Sequence, residues 1–198
     1  MIEFIINIPV FFLEIFLSKE QRIKRKLKKT KAKKLSEIKN GEYVKIHGIV
    51  KPHEKLMTSP LGKKRCIGYQ VEVGREMSDY HEGQYINEEI IQNFYLVEGN
   101  QKILINPRRA KIALKKEVIG NSGLLKDVDS NMADFLKRHQ TKAKSFGFNK
   151  SLEFKEGTLQ EGQKLTIVGK VSLVKLKNNT RQLVIRNYEK YPLYLKSE

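Results

Sequence analysis

The chain has 198 residues, enough for one ordinary domain with an appendage and short for two independent cores. Hydrophobic residues make up 39% and charged residues 31%, with glycine and proline at ordinary levels, which excludes a chain disordered by composition. A formal net charge of +17 favours a polyanionic partner, nucleic acid or anionic lipid headgroups, while a single cysteine, Cys66, excludes an intramolecular disulfide and a four-cysteine zinc site.

The charge is uneven: residues 1–17 carry −2, residues 18–39 carry +9 and residues 40–198 carry +10. The chain therefore divides into an apolar segment at 1–17, a polybasic helix or linker at 18–39 and a body at 40–198. From Ile2 to Leu17 twelve of sixteen positions are apolar, interrupted by Glu3, Asn7, Pro9 and Glu14. A spanning helix needs roughly 20 predominantly apolar residues, so the segment is marginal as a span. A secretory signal has its positive charge before the apolar region, and here it follows. Three placements stay open: a helix lying in the interface, a span of a thin or deformed bilayer, or a helix packed on the protein's own core. Phe4, Ile5, Ile8, Phe11, Phe12, Ile15 and Phe16 cover most of a helix circumference, which favours lipid over a one-sided core contact.

Alone, the basic run that follows reads as a solvated helix face or a tether. Beside an apolar segment, Lys24, Arg25, Lys26, Lys28, Lys29, Lys31, Lys33 and Lys34 become candidate contacts to anionic headgroups, each worth about 1 kcal/mol near the surface. The positive-inside bias then places the body on the cytoplasmic side. The expectation is membrane attachment with the body in the cytoplasm.

Past Gly41 the period changes to two. Val44, Ile46, Gly48 and Val50 alternate with Lys45, His47, Ile49 and Lys51, a half-buried strand. Ile67, Tyr69, Val71 and Val73 point one way and Cys66, Gly68, Gln70 and Glu72 the other. Residues 74–92 are polar and acidic and read as a long loop or a short helix. FYLVEGNQKILI reads as a hairpin about a Gly99-Asn100 turn. Leu125, Val128, Met132, Phe135, Leu136 and His139 recur at helical spacing within 124–139, with His139 at the edge of the core. Leu165, Ile167, Gly169, Val171 and Leu173 alternate with Lys164, Thr166, Lys170 and Ser172, leaving Val168 out of step. A turn at Asn178-Asn179 leads to QLVIRN, and YPLYL follows. The predicted fold class is mainly β: a small antiparallel barrel or sandwich, OB-like, with one inserted amphipathic helix and an N-terminal helix.

Three stretches of the body carry a family pattern. SPLGKKRCIGYQVEV presents Ser59, Pro60, Gly62, Cys66 and Tyr69. FYLVEGNQKILINPRRAKI presents Glu98, Gly99, Pro107 and Ala110. EGTLQEGQKLTIVG presents Glu156, Leu159, Gly162 and Gly169. In this order they resemble the GIDE domain, also called BAM for "beside a membrane", over roughly residues 42–196. The resemblance implies a body held beside a membrane. In the family's best-known members, mitochondrial outer-membrane ubiquitin ligases, a RING follows the domain. This sequence contains no RING and no second apolar segment, so ligase activity is not expected, and a role as an accessory of such a system rests on analogy alone.

The residues also read without the family. Pro60 and Gly62 suit a turn, Pro by its fixed φ and Gly by its access to positive φ. Cys66 reads as a small buried hydrophobe, although Lys63, Lys64 and Arg65 just before it could depress its pKa. Gly157 and Gly162 have P-loop separation, but Gln163 replaces the required lysine and a strand follows instead of a helix. The acidic pairs Glu88-Glu89 and Asp127-Asp129 sit in loop or helix-edge contexts with no base beside them. No catalytic residue, metal site or cofactor is expected, and the β body is expected to bind an unknown partner. The rival reading is an OB-like nucleic-acid binder using Tyr188, Tyr191 and Tyr194 near Arg186 and Lys190.

Overall fold

The computed structural model describes residues 19–75, 84–123, 127–141, 144–145, 148–149, 151–175 and 179–197. The predicted anchor residues Phe4, Ile5, Ile8, Phe11, Phe12, Ile15 and Phe16, and helix position Leu125, lie outside them. The first elements among the described residues are helix α1 (Lys19–Lys29) and a 3-10 turn (Leu35–Glu37). Strands β1 (Tyr43–Pro52), β2 (Met57–Thr58), β3 (Arg65–Cys66), β4 (Gly68–Arg75) and β5 (Gln84–Ile91) follow. After β6 (Phe94–Glu98) and β7 (Gln101–Asn106) come β8 (Lys111–Ala113), β9 (Glu117–Ser122) and helix α2 (Ser130–Arg138). The chain continues with β10 (Lys144–Ser145), β11 (Phe148–Asn149), β12 (Leu152–Leu159), β13 (Lys164–Lys175), β14 (Arg181–Arg186) and β15 (Tyr194–Ser197).

Five strands close a barrel in the order β1-β6-β7-β14-β13 and back to β1, an OB-like arrangement in a mainly β protein, as the alternation predicts. All pairings in the ring are antiparallel except β7 with β14. Register follows the apolar pattern: Phe94 faces Ile105, Leu96 faces Ile103 and Ile46 faces Ile167, and all six side chains are buried. The Gly99-Asn100 turn joins β6 to β7 as predicted, with Gly99 at φ 56. At the other predicted turn Asn179 holds φ 66, and Asn178 lies outside the described residues.

The two long excursions between barrel strands build a second sheet together. β4 and β5 come from the β1–β6 connection, β9 and β12 from the β7–β13 connection, and they pair in the order β5-β4-β12-β9. Helix α2 covers this sheet, burying Met132, Phe135 and Leu136 against Val71, Val73, Ile86, Leu152 and Phe154. Asp129 caps α2 by accepting from the Met132 N–H at 2.8 Å, so the helix begins at Ser130, later than the 124–139 pattern suggested, and Val128 precedes the cap.

The structure corrects the reading of residues 74–92. Residues 84–91 form β5, which pairs along β4 from Gly68↔Ile91 to Gly74↔Gln84, so Glu88 and Glu89 sit on a strand. Successive side chains alternate faces, so Glu88 turns to the α2 side of the sheet, where it is 16% exposed, and Glu89 to the other; polar residues on both faces of an edge strand look like irregular chain. The face assignment around Cys66 changes as well. The strand breaks at Ile67, which enters the barrel core, while Cys66 joins Tyr69, Val71 and Val73 in the core beneath α2. On β13, Leu173 is 44% exposed and Ser172 is buried, so the predicted inward row ends at Val171.

Val168 is out of step because β13 is buried on both faces. Ile23 and Leu27 of α1 pack over Val168, Ala113 and Tyr194 on the outside of the barrel. An isolated helix of this length is marginal in water, so packing holds α1. Burial of its two apolar side chains contributes about 1.5–3 kcal/mol each. Lys45 adds a donor from its Nζ to the Leu27 carbonyl at 3.0 Å, in the last turn of α1, where carbonyls lack helical partners. The chain after α1 remains attached: Lys33 N donates to Lys45 O, and Leu35 enters the barrel core with its N–H on Glu98 Oε2 at 2.6 Å.

Candidate anion-binding surface

The docking of α1 sorts its cations into three groups. With Ile23 and Leu27 facing the barrel, the 3.6-residue period sends Arg22, Arg25, Lys28 and Lys29 outward, and all four are exposed. Lys24 lies on one flank and Lys26 on the other. Of the remaining predicted contacts, Lys31, Lys33 and Lys34 are exposed, and Lys33 pairs with Glu42 at 2.8 Å. That hydrogen bond, with a second from the Lys39 N–H, holds the Glu42 carboxyl below its usual range.

On the Lys26 flank the cations meet aromatic rings. Lys26 Nζ stands 5.7 Å from the Tyr43 ring centre, and Tyr43 lies 5.5 Å from Tyr191. Lys170 Nζ reaches Tyr191 at 4.7 Å and Tyr188 at 5.3 Å, while Arg186 covers Tyr188 at 4.9 Å. Burial works to raise the Tyr188 pKa, but hydrogen bonds with Ser172 and Arg186 and the charges of Arg186 and Lys170 outweigh it, and the phenol is lowered. Tyr191 is 41% exposed, but Tyr194, grouped with these rings on sequence, is buried beneath α1.

On the Lys24 flank lies a cleft of about 540 Å³, lined by Lys24, Glu72, Lys115, Lys116, Lys155 and Lys196, with Ala113, Leu114 and Ser197 completing the wall. The β8–β9 link supplies Leu114, Lys115 and Lys116 to its lining and is held by two side chains. Gln70 on β4 accepts from Leu114 N and donates to Ile112 O, both at 3.1 Å, and Ser197 Oγ accepts from Lys115 N at 3.0 Å. Gly157 lets β12 run directly beneath: a Cβ there would stand 2.9 Å from Lys115 O and 3.0 Å from Leu114 Cβ. Sequence reasoning missed this cleft. Its lysines come from α1, the β8–β9 link, β12 and β15, and no local pattern links positions so far apart.

Three of the family-pattern residues, Ser59, Gly62 and Glu156, meet at a different place, and the others lie elsewhere in the fold. Glu156 on β12 is 4% exposed and accepts three hydrogen bonds. Ser59 Oγ donates at 2.8 Å and Gly62 N at 3.0 Å to Oε2, and Leu61 N donates at 2.9 Å to Oε1. Ser59 Oγ in turn accepts from Lys64 N at 3.0 Å, so one carboxylate organises the whole 59–64 turn. The glycine at 62 is required for a different reason than expected. Positive φ falls on Lys63, at 52°, whereas a Cβ on Gly62 would sit 2.8 Å from Glu156 Oε2. Pro60 lies in the same turn, Leu159 is buried in the barrel core, and Gly162, at φ 85, turns β12 into β13 without opening a helix. On β13, the missing Cβ of Gly169 leaves room for Leu193, whose Cδ1 would be 2.8 Å from it. Ala110 closes a turn with Pro107 O and joins the barrel core.

Cys66 is fully buried, and its thiol is pushed up to about 11, first by burial and then by the negative Glu156. Lys63, Lys64 and Arg65 are all exposed and none contributes to the shift, so the thiol is raised and not depressed. At pH 8 a thiol reagent is therefore expected to label Cys66 no faster than the protein unfolds, and rapid stoichiometric labelling of the native protein would contradict this placement.

A second correction concerns Glu88, which the sequence leaves without a base. Its Oε1 accepts from Tyr69 OH at 2.7 Å and Arg138 at 2.8 Å, and its Oε2 lies 2.8 Å from His139 Nε2. This network ties β4 and β5 to the C-terminal end of α2, with His139 at the edge of the core as predicted. Burial, then Glu88, raises Tyr69 to about 12.

Among the described residues no helix is long and apolar enough to cross a membrane, and no three potential metal ligands cluster. No family model, curated protein or solved structure matches the chain.

Proposed function

We propose that the protein is a non-catalytic interaction module attached to a membrane on its cytoplasmic side. In this reading the outer face of α1 lies on anionic headgroups, the apolar stretch of residues 2–17 enters the lipid, and the OB-like body binds a further partner. The observation that carries it is the docking of α1. With Ile23 and Leu27 held on the barrel, four cations share one outward face, directly after sixteen residues of which twelve are apolar. A flexible tether would present the same charges without orienting the body. The GIDE/BAM-like assignment belongs to the same proposal. It draws support from the meeting of Ser59 and Gly62 with Glu156, two pattern segments far apart in the chain.

Vesicle sedimentation tests this reading. At about 0.1 M salt the full chain is expected to pellet with phosphatidylserine-containing vesicles and less with phosphatidylcholine alone, and removing residues 1–17 should weaken both. A chain that stays in the supernatant with both overturns the reading.

The nucleic-acid reading has one specific support, the exposed Tyr191 beside Tyr43 and Tyr188 among Lys26, Lys170 and Arg186. A parallel titration with single-stranded oligonucleotide separates the two. Tight, steeply salt-dependent binding lost on Tyr191→Ala would move the function to that surface.

A further inference from the structure

We infer that the lysine-lined cleft beside α1 is a binding site for a small ligand carrying two or more phosphates. The site is distinct from the outward face of α1 and from the aromatic patch, and it does not depend on membrane attachment.

Three features carry the assignment. The first is charge. Five lysines line the cleft against one lining carboxylate, Glu72, which pairs with Lys116 at 2.7 Å. Lys155 pairs with Glu153 just outside the lining. Lys24, Lys115 and Lys196 have no carboxylate partner among the described residues. Three ammonium groups left over match about two phosphate monoesters, each carrying about −1.5 to −2 near neutral pH. Like charges gathered around one concavity raise the energy of the empty site, and the cleft focuses their field on any anion that enters.

The second feature is size. A volume of about 540 Å³ suits a small molecule, within the range of about 300–1,000 Å³ usual for such sites. The third is rigidity. The link bearing Lys115 and Lys116 is held by Gln70, which bonds Ile112 O and Leu114 N, and by Ser197 on Lys115 N, while Gly157 lets β12 pass close to it, so the cleft is formed before any ligand arrives. The partner chemistry is the phosphate group itself, borne by a lipid headgroup or by a soluble polyphosphate.

Calorimetric titration of the full chain with inorganic triphosphate tests the inference, with sulfate at equal ionic strength as reference. Triphosphate is expected to bind stoichiometrically and to raise the thermal midpoint more than sulfate does. Lys115→Gln and Lys196→Gln together should weaken it about a hundredfold, at about tenfold for each charge-assisted contact. Both side chains are at least partly solvated, so the fold should survive, and Arg25→Gln with Lys29→Gln on the outer face should leave triphosphate binding unchanged. Vesicles with and without phosphatidylinositol 4,5-bisphosphate identify the source. Preference for the bisphosphate lost in the Lys115/Lys196 variant assigns a lipid headgroup, and triphosphate binding without that preference assigns a soluble ligand. The inference is overturned if triphosphate does no more than sulfate, or if the Lys115/Lys196 variant binds as tightly as the native chain. It is equally overturned if single-stranded oligonucleotide displaces triphosphate at equal phosphate concentration. None of these outcomes depends on whether the chain pellets with phosphatidylserine vesicles.

Discussion

Glu156→Ala should lower the unfolding free energy by about 4 kcal/mol, the largest single-residue loss expected outside the apolar core. The carboxylate satisfies Ser59 Oγ, Leu61 N and Gly62 N at once, and Ser59 and Leu61 are buried where water does not replace a lost acceptor. Each buried donor left without a partner costs about 1–3 kcal/mol. Glu156→Gln should fall between alanine and the native residue, because its one carbonyl oxygen accepts while its amide nitrogen faces donors. Ser59→Ala should cost about 1–2 kcal/mol, and much less in the Glu156→Ala background, since the two changes remove the same contact. Urea unfolding measures all four variants. A Glu156→Ala loss below about 1 kcal/mol would mean that the 59–64 turn finds other acceptors and that the carboxylate does not organise it.

Neutralising the outward face of α1 is expected to have a comparable effect on membrane partition. The full chain with Arg22, Arg25, Lys28 and Lys29 all changed to Gln should lose about 4 kcal/mol of the phosphatidylserine-dependent part of its vesicle affinity, roughly a thousandfold, at about 1 kcal/mol per cation near the surface. Affinity for phosphatidylcholine alone should stay unchanged, because that part belongs to the apolar segment. Stability should also be nearly unaffected, since all four side chains are exposed and Ile23 and Leu27 still hold the helix. Loss of affinity for both lipids alike would implicate unfolding of α1. No loss for either would remove this face from the interaction. Arg22, which the sequence reading left out of the basic set, enters it here because the helix period places it beside Arg25 and Lys29.

Local pattern made much of the barrel legible. The alternation in residues 44–50, 94–105 and 165–171 reports a strand's two faces directly, and the register that buries Phe94 with Ile105 follows from it. The pattern failed where burial departs from one wet and one dry face. Val168 is apolar on an outer face because α1 covers it, and Ile67 and Tyr69 face different cores because the strand breaks between two sheets. Residues 84–91 read as a loop because β5 lies at the edge of the second sheet, with Glu88 and Glu89 serving partners on α2 and β4.

The amino-acid order by itself determined what depends on near neighbours along the chain: the strand alternation, the Gly99-Asn100 hairpin, the apolar face of α2 and the junction of an apolar segment with a polybasic one. The tertiary structure alone decided what depends on residues that are neighbours only in space. It sorted the cations of α1 into an outward face and two flanks, placed Glu156 under the 59–64 turn, set His139 against Glu88, and gathered Lys24, Lys115, Lys116, Lys155 and Lys196 around one cleft. The physical reason is range. Backbone preference and hydrophobic period act over a few residues and are written in the local sequence, whereas a hydrogen bond to a buried carboxylate or the lysine lining of one cleft exists only once distant segments have been packed together.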